Sequence, residues 1–248
     1  MAEFRRIRNE GNRGRVESMA ISQSQNLLEF SNSRMESQDF TEALTIQPYK
    51  VYKSVETIFA ANNVLVSIPE SIAYYTNLKT LDLSNNQLTE IPDCISKCMN
   101  LVRLIVRNNF LDEDSFPKTF PRLTNLRDLN VGGNQLKRIP YEIMESENIE
   151  NLQLGGNQIE MFSRDIRMMK NLEVLYLGGN QITEVPPEVG ELSQLKVFVL
   201  CDNKLESLPA SISQLKHLKS LLLHRNRLTT LPVQIIKLKN LMEVSFFL

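Results

Sequence analysis

The sequence has few of the residues on which enzymes, metal proteins and secreted proteins depend. Among its 248 residues are only two histidines and three cysteines, Cys94, Cys98 and Cys201. An odd number of cysteines without a clustered framework argues against a disulfide-stabilised secreted domain. No Asn-x-Ser/Thr acceptor occurs, so an extracellular, glycosylated chain gains no support. We therefore expect a reduced, intracellular compartment, first the cytoplasm, with the nucleus as an alternative.

Long apolar runs and a charge imbalance are also lacking. No run approaches the roughly 20 apolar residues that a membrane-spanning helix needs, so no membrane span is expected. The Arg-rich N-terminus has no apolar stretch behind it and does not resemble a secretory signal, and Glu3 and Glu10 count against a mitochondrial presequence. With 28 basic and 29 acidic residues, the chain is not built to bind a polyanion, and no nucleic-acid partner is expected.

What the sequence does contain is a repeat. The segment Leu78-x-x-Leu81-x-Leu83-x-x-Asn86-x-Leu88-x-x-Ile91-Pro92 recurs along the chain. Its asparagine returns, as the marker of eight repeats, at Asn63, Asn86, Asn109, Asn134, Asn157, Asn180, Asn203 and Asn226. Six of the seven intervals are 23 residues long, and the interval from Asn109 to Asn134 is 25. Self-similarity of this kind predicts a solenoid of stacked units.

Each repeated position has a physical role. The Leu-x-Leu core predicts a short strand whose leucines point inward while the residue between them points outward. One repeat cannot bury its leucines alone, so repeats stack and their strands form a parallel sheet. The asparagine amide can donate and accept where the chain leaves the strand, which predicts a structural ladder between coils. Apolar–proline pairs are predicted to anchor the outer side, at Ile68-Pro69, Ile91-Pro92, Ile139-Pro140, Val185-Pro186, Leu208-Pro209 and Leu231-Pro232.

These residues resemble the leucine-rich-repeat superfamily, in its short, 23-residue intracellular type, over about residues 55–248. The resemblance implies an α/β fold, a curved solenoid with a parallel β-sheet on its concave face and loops or short helical turns on its convex face. A narrower resemblance, to the subfamily of leucine-rich repeat-containing protein 58, rests on NLEVLYLGGNQITEVPPEVGELSQLKVFVLCDNKLESLP. That subfamily continues beyond its repeats into a cysteine-containing region, which implies that this chain is a truncated form.

The composition divides the chain into three segments. Residues 1–45 are rich in Ser, Asn, Gln, Arg and Glu and are predicted to be a disordered polar tail, with solvated arginines. Residues 46–54 are predicted to be an N-terminal cap, because an uncovered end would expose the apolar core. Residues 55–248 hold the eight asparagine-bearing repeats and a ninth that stops after its strand. The residues expected to cover the open end are Leu44, Ile46, Tyr49 and Val51, and those of the ninth strand are Leu241, Val244 and Phe246.

No arrangement of residues indicates catalysis or metal binding. A nucleophile needs a base and a group that orients it, and His217 and His224 lie in no recognisable catalytic motif. Cys94 and Cys98 are four residues apart, but a zinc site needs about four ligands with matching spacings. Packed, reduced thiols are the preferred interpretation of these two cysteines. We expect no enzyme activity, no cofactor and no metal site.

Three Gly-Gly-Asn triplets invite comparison with a phosphate-binding loop. No Gly-Lys-Ser/Thr follows any of them, and no helix start is expected there. Small residues at the strand exit, beside the asparagine turn, explain them better. The triplets occupy residues 132–134, 155–157 and 178–180.

Strand alternation identifies the side chains of the concave face, where solenoids usually bind their partners. The middle repeats place polar residues there, namely Asp128, Asn130, Asn151 and Gln153. Repeats six to eight instead place an apolar set there, which we call the concave strip, consisting of Val174, Tyr176, Val197, Val199 and Leu222. Its polar border is formed by Cys201, Asp202, His224 and Arg225. A solvent-facing apolar strip indicates an interface, with Tyr176 as its anchor. The alternative interpretation is that β-branched residues occur here only because they are favoured in strands.

The preferred function is an intracellular adaptor or scaffold that binds a protein partner on the concave strip, His224 and Arg225. An alternative is a substrate receptor of a ubiquitin ligase, a role that several leucine-rich-repeat families perform. No F-box-like region or Leu-x-x-x-Cys box is visible in these residues, so a ligase-recruiting segment would lie outside them. A third alternative, an extracellular recognition module, is disfavoured by the cysteines and the lack of glycosylation acceptors. Fold membership alone does not choose among these roles.

Overall fold

The structure, a computed structural model, describes residues 5–7, 16–19 and 26–246. Near the N-terminus, β1 (Arg5–Ile7) and β2 (Val16–Met19) pair in an antiparallel arrangement. The other ten strands form one parallel sheet in the order of the chain. They are β3 (Leu27–Glu29), β4 (Thr57–Phe59), β5 (Thr80–Asp82), β6 (Arg103–Ile105), β7 (Asp128–Asn130), β8 (Asn151–Gln153), β9 (Val174–Tyr176), β10 (Val197–Val199), β11 (Ser220–Leu222) and β12 (Glu243–Ser245). The predicted parallel sheet is therefore confirmed.

Short helices lie on the outer side of the solenoid. The α-helices are α1 (Ser37–Thr45), α2 (Tyr49–Ser54) and α3 (Tyr141–Met144). Most repeats instead have a single 3-10 turn, at Glu70–Tyr74, Asp93–Lys97, Phe120–Arg122, Arg164–Met168, Pro187–Glu191, Ala210–Gln214 and Val233–Lys237. The predicted proline anchors sit immediately before these elements, where a fixed φ suits the extended residue that precedes a helix. In the fifth repeat Ser163 takes this place, and its hydroxyl accepts from the Asp165 N–H at 3.1 Å.

The core is one continuous apolar column between the sheet and the outer turns. In β3 to β11 the central residue is buried while its two neighbours face outward, as at Leu81 between Thr80 and Asp82. In β12, at the end of the sheet, the central Val244 is 41% exposed. The next leucine, Leu83, is also fully buried. Because each repeat offers apolar residues above and below itself, burial is completed only by stacking. The fold class predicted from the sequence, an α/β leucine-rich-repeat solenoid, is confirmed.

The predicted asparagine ladder connects the repeats. Asn157 shows the pattern, since its Nδ2 donates to the Val131 and Leu154 carbonyls at 3.0 and 2.9 Å. Its Oδ1 accepts from the Leu136 N–H at 3.1 Å. Seven of the eight asparagines are buried, and each amide satisfies backbone groups of its own coil and of the preceding one. The prediction of a structural ladder is therefore confirmed.

A second ladder of asparagines runs along the outside and was not recognised in the sequence. In each case Nδ2 donates to a backbone carbonyl of the preceding repeat, as from Asn77 to Lys53 at 2.7 Å. Gln194 and His217 occupy the same position in the sequence, and within residues 26–246 the structure gives neither side chain an equivalent bond. The other members are Asn100, Asn125, Asn148, Asn171 and Asn240.

The N-terminal cap is larger than predicted. The sequence assigned residues up to 45 to a disordered tail, whereas β3 joins the main sheet and α1 covers the end of the core. The reason is that a few apolar residues among many polar ones are enough to pack this segment onto the core. Leu28, Phe40 and Leu44 are at most 1% exposed. Ile46 and Tyr49, expected to cover the core, are 52% and 72% exposed instead. The predicted boundary at residue 45 is therefore wrong, while most of residues 1–25 lie outside the described residues.

The cap also completes the ladder. Asn63 Oδ1 accepts from the Ser33 and Met35 N–H groups at 3.0 and 2.9 Å, and its Nδ2 donates to the Phe30 carbonyl at 2.9 Å. The segment thus supplies the coil that the first repeat lacks. At the other end the predicted ninth strand is present as β12, in parallel register with β11. None of the described helices combines the length and the apolar character that crossing a bilayer requires.

Candidate functional site

The outward-facing residues of the sheet form two rows across the concave face. One row runs through Val174, Val197 and Ser220, which are register partners on adjacent strands. The other runs through Tyr176, Val199 and Leu222. The structure therefore brings all five residues of the concave strip together on the face where the sequence expected them. Tyr176 is the most exposed of the five, at 42%, and its side chain is available to a partner.

Val199 is an exception to the expected exposure. It points toward the concave face, yet it is only 4% exposed. The reason is its position between Tyr176 and Leu222, whose longer side chains flank the short, branched one on both sides. The strip is thus contiguous, but its contact area is carried by Tyr176 and by the half-buried Val174, Val197 and Leu222.

Glycines leave the space in which the Tyr176 ring lies. From the sequence, these glycines were interpreted only as small residues at a turn. A Cβ added at Gly155 would collide with the ring, and one at Gly178 would lie 3.3 Å from it. A Cβ at Gly178 would also lie 2.9 Å from the Cys201 Sγ. The glycines therefore fix where the tyrosine lies. The sequence feature that could have indicated this contact is the occurrence of Gly-Gly-Asn triplets both after Tyr176 and in the preceding repeat.

The ring borders a shallow groove of about 430 Å³ along the strand exits. Backbone of the glycine pairs forms its floor, so N–H and C=O groups lie close to its surface. Arg107 and Asn108 line one end, in the third repeat, and Cys201 and Asp202 line the other, in the seventh. The groove and the concave strip are continuous through Tyr176. Together they form the candidate functional site.

The polar middle of the concave face is occupied by bonds within the chain. Arg103 pairs with Asp128 at 3.0 Å, and Asn130 Nδ2 donates to Gln153 Oε1 at 2.8 Å. Asn130 Oδ1 in turn accepts from the Gly132 N–H at 3.0 Å. A partner that bound here would have to exchange these hydrogen bonds for its own, with little net gain in binding free energy. The concave strip instead offers apolar area, and its burial by a partner would favour binding. This difference favours the strip over the middle repeats.

The border of the strip is polar, as expected. Arg225 is exposed and pairs with Asp202 Oδ1 at 3.2 Å, and His224 Nδ1 bonds to Ser245 Oγ at 2.7 Å. Cys201 is buried beside them. Burial raises the pKa of the Cys201 thiol, and the neighbouring Asp202 carboxylate raises it further through its charge and by accepting the S–H bond. The thiol is therefore protonated at neutral pH.

Cys94 and Cys98 are packed, free thiols, as the sequence indicated. Their sulfur atoms lie 3.9 Å from the Pro69 carbonyl oxygen and 3.4 Å from the Ile72 carbonyl oxygen. Burial raises the pKa of Cys94 to about 11 and that of Cys98 to about 12. Protonated thiols of this kind are poor nucleophiles, and among the described residues neither of these two belongs to a group of three potential metal ligands. They are part of the core and not of the functional site.

A larger depression, of about 970 Å³, lies on the outer side of repeats four to six. It contains Tyr141 and Met161, and its lining carries charged residues of both signs, some of which form ion pairs. Arg138 lies 3.2 Å from Asp114 and Arg164 lies 3.9 Å from Glu188. We therefore give the concave face more weight than this larger space.

Comparison with protein families identifies the class. The family described as Leucine rich repeat matches residues 99–159 and 170–228. The family described as Leucine Rich repeats (2 copies) matches residues 76–119. The chain belongs to the leucine-rich repeat superfamily, whose members are in general interaction modules and not enzymes. No curated protein sequence gives a significant match, so the narrower subfamily resemblance stays a prediction.

Solved structures with the same architecture are similar in both fold and sequence. A leucine-rich-repeat protein of Leptospira interrogans is 32% identical, with a TM-score of 0.81, over 89% of this chain and 54% of that one. The ectodomain of the Arabidopsis thaliana receptor kinase GASSHO1/SCHENGEN3 is 29% identical, with a TM-score of 0.66, over 90% of this chain and 27% of that one. Drosophila Toll is 25% identical, with a TM-score of 0.72, over 81% and 28%. The chain thus spans about half of the Leptospira protein and about a quarter of the other two.

Proposed function

We propose that this chain is an intracellular adaptor or scaffold that binds a protein partner on the concave strip, with Tyr176 as the anchor. The single observation that carries the proposal is the exposed Tyr176 ring, held in place by glycines at the edge of an apolar patch. A tyrosine brings a large contact area with little loss of conformational entropy and keeps a polar tip for a hydrogen bond. His224 and Arg225 form the polar rim of this interface.

Proteins of similar structure support a protein ligand. The Arabidopsis ectodomain was solved in complex with CASPARIAN STRIP INTEGRITY FACTOR 2, and Drosophila Toll in complex with Spatzle. The Arabidopsis protein is the ectodomain of a membrane receptor kinase by its description, so these complexes support the kind of ligand and not the compartment. The three free, buried cysteines support a reducing, intracellular compartment for this chain.

The experiment is affinity capture from cells with the wild-type chain and its Tyr176→Asp variant, read by quantitative mass spectrometry. The carboxylate placed in an apolar contact should remove at least about 2 kcal/mol of binding, enough for a partner to fall about thirtyfold in the captured material. The matched control is Tyr141→Asp, because Tyr141 is 50% exposed but lies on α3, on the outer side. Val199→Asp is unsuitable, since a buried charge would disturb the fold.

The outcome distinguishes the alternatives. Proteins lost with Tyr176→Asp but kept with Tyr141→Asp are partners of the strip, and ligase subunits among them would indicate the substrate-receptor role. An unchanged set of captured proteins would contradict the proposed site. Glycans or disulfides on the protein isolated from cells, detected by intact mass, would contradict the intracellular setting and favour an extracellular recognition module.

A further inference from the structure

Three side chains that bind metals meet at the border of the concave strip. The Cys201 sulfur, an Asp202 carboxylate oxygen and a His224 ring nitrogen all lie within 4.8 Å of one another. Within the part of the chain that the structure describes, this is the one group of three such side chains that could hold an ion. No short spacing along the chain indicates this cluster, because His224 belongs to the repeat after the one that holds Cys201 and Asp202.

The solenoid itself creates the cluster. Residues 23 positions apart stack directly on one another, so Cys201 of the seventh repeat lies beside His224 of the eighth. A backbone hydrogen bond joins the two repeats at this point, because the Asp202 N–H donates to the His224 carbonyl at 3.0 Å. In the earlier repeats the position of Cys201 holds residues that offer no sulfur or imidazole, namely Ala61, Ser84, Arg107, Gly132, Gly155 and Gly178.

The histidine is held as metal-bound histidines usually are. His224 Nδ1 lies 2.7 Å from Ser245 Oγ on the neighbouring strand. A hydrogen bond of this kind at one ring nitrogen fixes the plane of the ring and leaves the other nitrogen to accept a metal. Ser245 therefore acts as the supporting residue of the cluster, and β12 takes part in it through this side chain.

The chemistry of the three donors selects the metal. A thiolate, an imidazole and a carboxylate together suit zinc, whereas calcium and magnesium prefer oxygen ligands alone. Ligands bound to tetrahedral zinc at about 2.0–2.3 Å lie roughly 3.5 Å from one another, so the cluster has to contract by roughly 1 Å. Rotation of the side chains supplies that movement, because two of the three residues are only partly buried.

We propose that Cys201, Asp202 and His224 form a zinc-binding site with three protein ligands. Water takes the fourth position, as in other zinc sites with three protein ligands. Arg225 competes with the metal, since its guanidinium lies 3.2 Å from Asp202 Oδ1. Its side chain is 78% exposed, so it can leave the carboxylate when zinc binds. The site adjoins Tyr176 through the groove but does not depend on a protein partner.

The test is titration of the purified full-length chain with zinc chloride, followed by native mass spectrometry and calorimetry. One zinc ion per chain is expected. Cys201→Ser and His224→Gln should each lower the affinity at least tenfold, and Ser245→Ala about tenfold, as removal of a supporting residue does. Cys94→Ala and His217→Gln are matched controls, because they remove the same residue types elsewhere and should leave zinc binding unchanged.

Cobalt(II) gives an independent readout. Bound through Cys201, it should show a sulfur-to-metal charge-transfer band that is absent in Cys201→Ser and present in Cys94→Ala. Circular dichroism of each variant establishes that it is folded, and His224, at the surface, keeps the test decisive if Cys201→Ser does not fold. Absence of zinc binding by the wild-type chain, or equal binding by the His224→Gln variant, would overturn the proposal.

Substitution of Arg225 should raise the zinc affinity, whereas the substitutions above should lower it. Arg225→Asn removes the competing cation and introduces the residue that Asn62, Asn85 and Asn108 supply at this left-handed position in the first three repeats. Zinc affinity should rise severalfold, which general damage to the fold cannot produce. Zinc binding is measured on the purified chain without a protein partner, so failure of the zinc site and failure of the protein-binding site remain distinguishable.

Discussion

At the scale of single residues, the amides of the ladder asparagines hold neighbouring coils together. Asn180 is representative: its Nδ2 donates to the Leu154 and Leu177 carbonyls and its Oδ1 accepts from the Ile159 N–H, at 2.9–3.1 Å. The two carbonyls each accept a second bond from a neighbouring ladder asparagine, Leu154 from Asn157 and Leu177 from Asn203, whereas the Ile159 N–H bonds to Asn180 alone. Because an unsatisfied buried group is costly, each ladder asparagine stabilises both coils that it joins.

The first prediction compares the two ladders. Asn180→Ala should lower the free energy of unfolding by about 3 kcal/mol, since it leaves the buried Ile159 N–H without a partner and removes one bond from each of two buried carbonyls. Asn171→Ala removes the exposed bond to the Glu147 carbonyl and should cost about 0.5 kcal/mol, because water replaces the amide. Urea unfolding followed by circular dichroism measures both values. Equal losses in the two variants would contradict the assignment of the buried ladder as the stronger one.

At the scale of elements, the outer asparagine ladder ties each outer turn to the turn before it. Its bonds run from asparagines just before the strands to carbonyls of the preceding repeat, as from Asn100 to Thr76 at 3.0 Å. The series is interrupted at Gln194 and His217. The amide of glutamine is one methylene farther from the backbone, and the imidazole has a different shape. The seventh and eighth repeats are therefore less firmly joined on this side than the others.

The element-scale prediction restores the missing bond. His217→Asn should let the new amide donate to the Ser193 carbonyl, by analogy with Asn240 and Lys216. The gain should be about 0.5 kcal/mol, or a rise in Tm of about 1–2 °C, since the bond is exposed to water. The measurement is differential scanning calorimetry. His217→Ala is the control, and a Tm for it as high as that of His217→Asn would show that loss of the histidine, and not the new bond, is responsible.

At the scale of the whole molecule, each repeat is stabilised mainly by its contacts with the adjacent repeats. In the main sheet of the described residues each strand pairs only with the strands before and after it in the chain, so a repeat depends mainly on its neighbours. The cap is therefore essential to the first repeats and of little consequence to the last ones. Phe40 is central to it, being fully buried and packed edge-to-face on Phe30 with ring centroids 5.6 Å apart.

The whole-molecule prediction concerns where the solenoid opens. Phe40→Ala should remove about 3–5 kcal/mol of packing and should increase hydrogen exchange in β3–β5 far more than in β9–β11. Phe198→Ala is the reciprocal variant, because Phe198 is equally buried and packs on Phe162 in the distant repeats. It should open β9–β11 and spare β3–β5. Exchange that rises uniformly along the chain in either variant would contradict this neighbour-to-neighbour coupling.

The sequence by itself determined the solenoid, the register and the face on which each strand residue lies. It could do so because the repeat places every leucine and every ladder asparagine under the same local constraint many times over. The parallel pairing of Val197 with Val174, for example, follows from a 23-residue period. The period likewise predicted β12 from Leu241, Val244 and Phe246.

Tertiary structure decided the features that depend on contacts between repeats or outside them. The cap in residues 27–45 has no period, and only packing on the first coil shows that Phe40 belongs to the core. Burial of Val199 depends on the sizes of its neighbours on either side and not on its own alternation. The meeting of Cys201 with His224 is likewise a property of stacking. A repeat determines where each side chain points, but the side chains of adjacent coils determine what it touches.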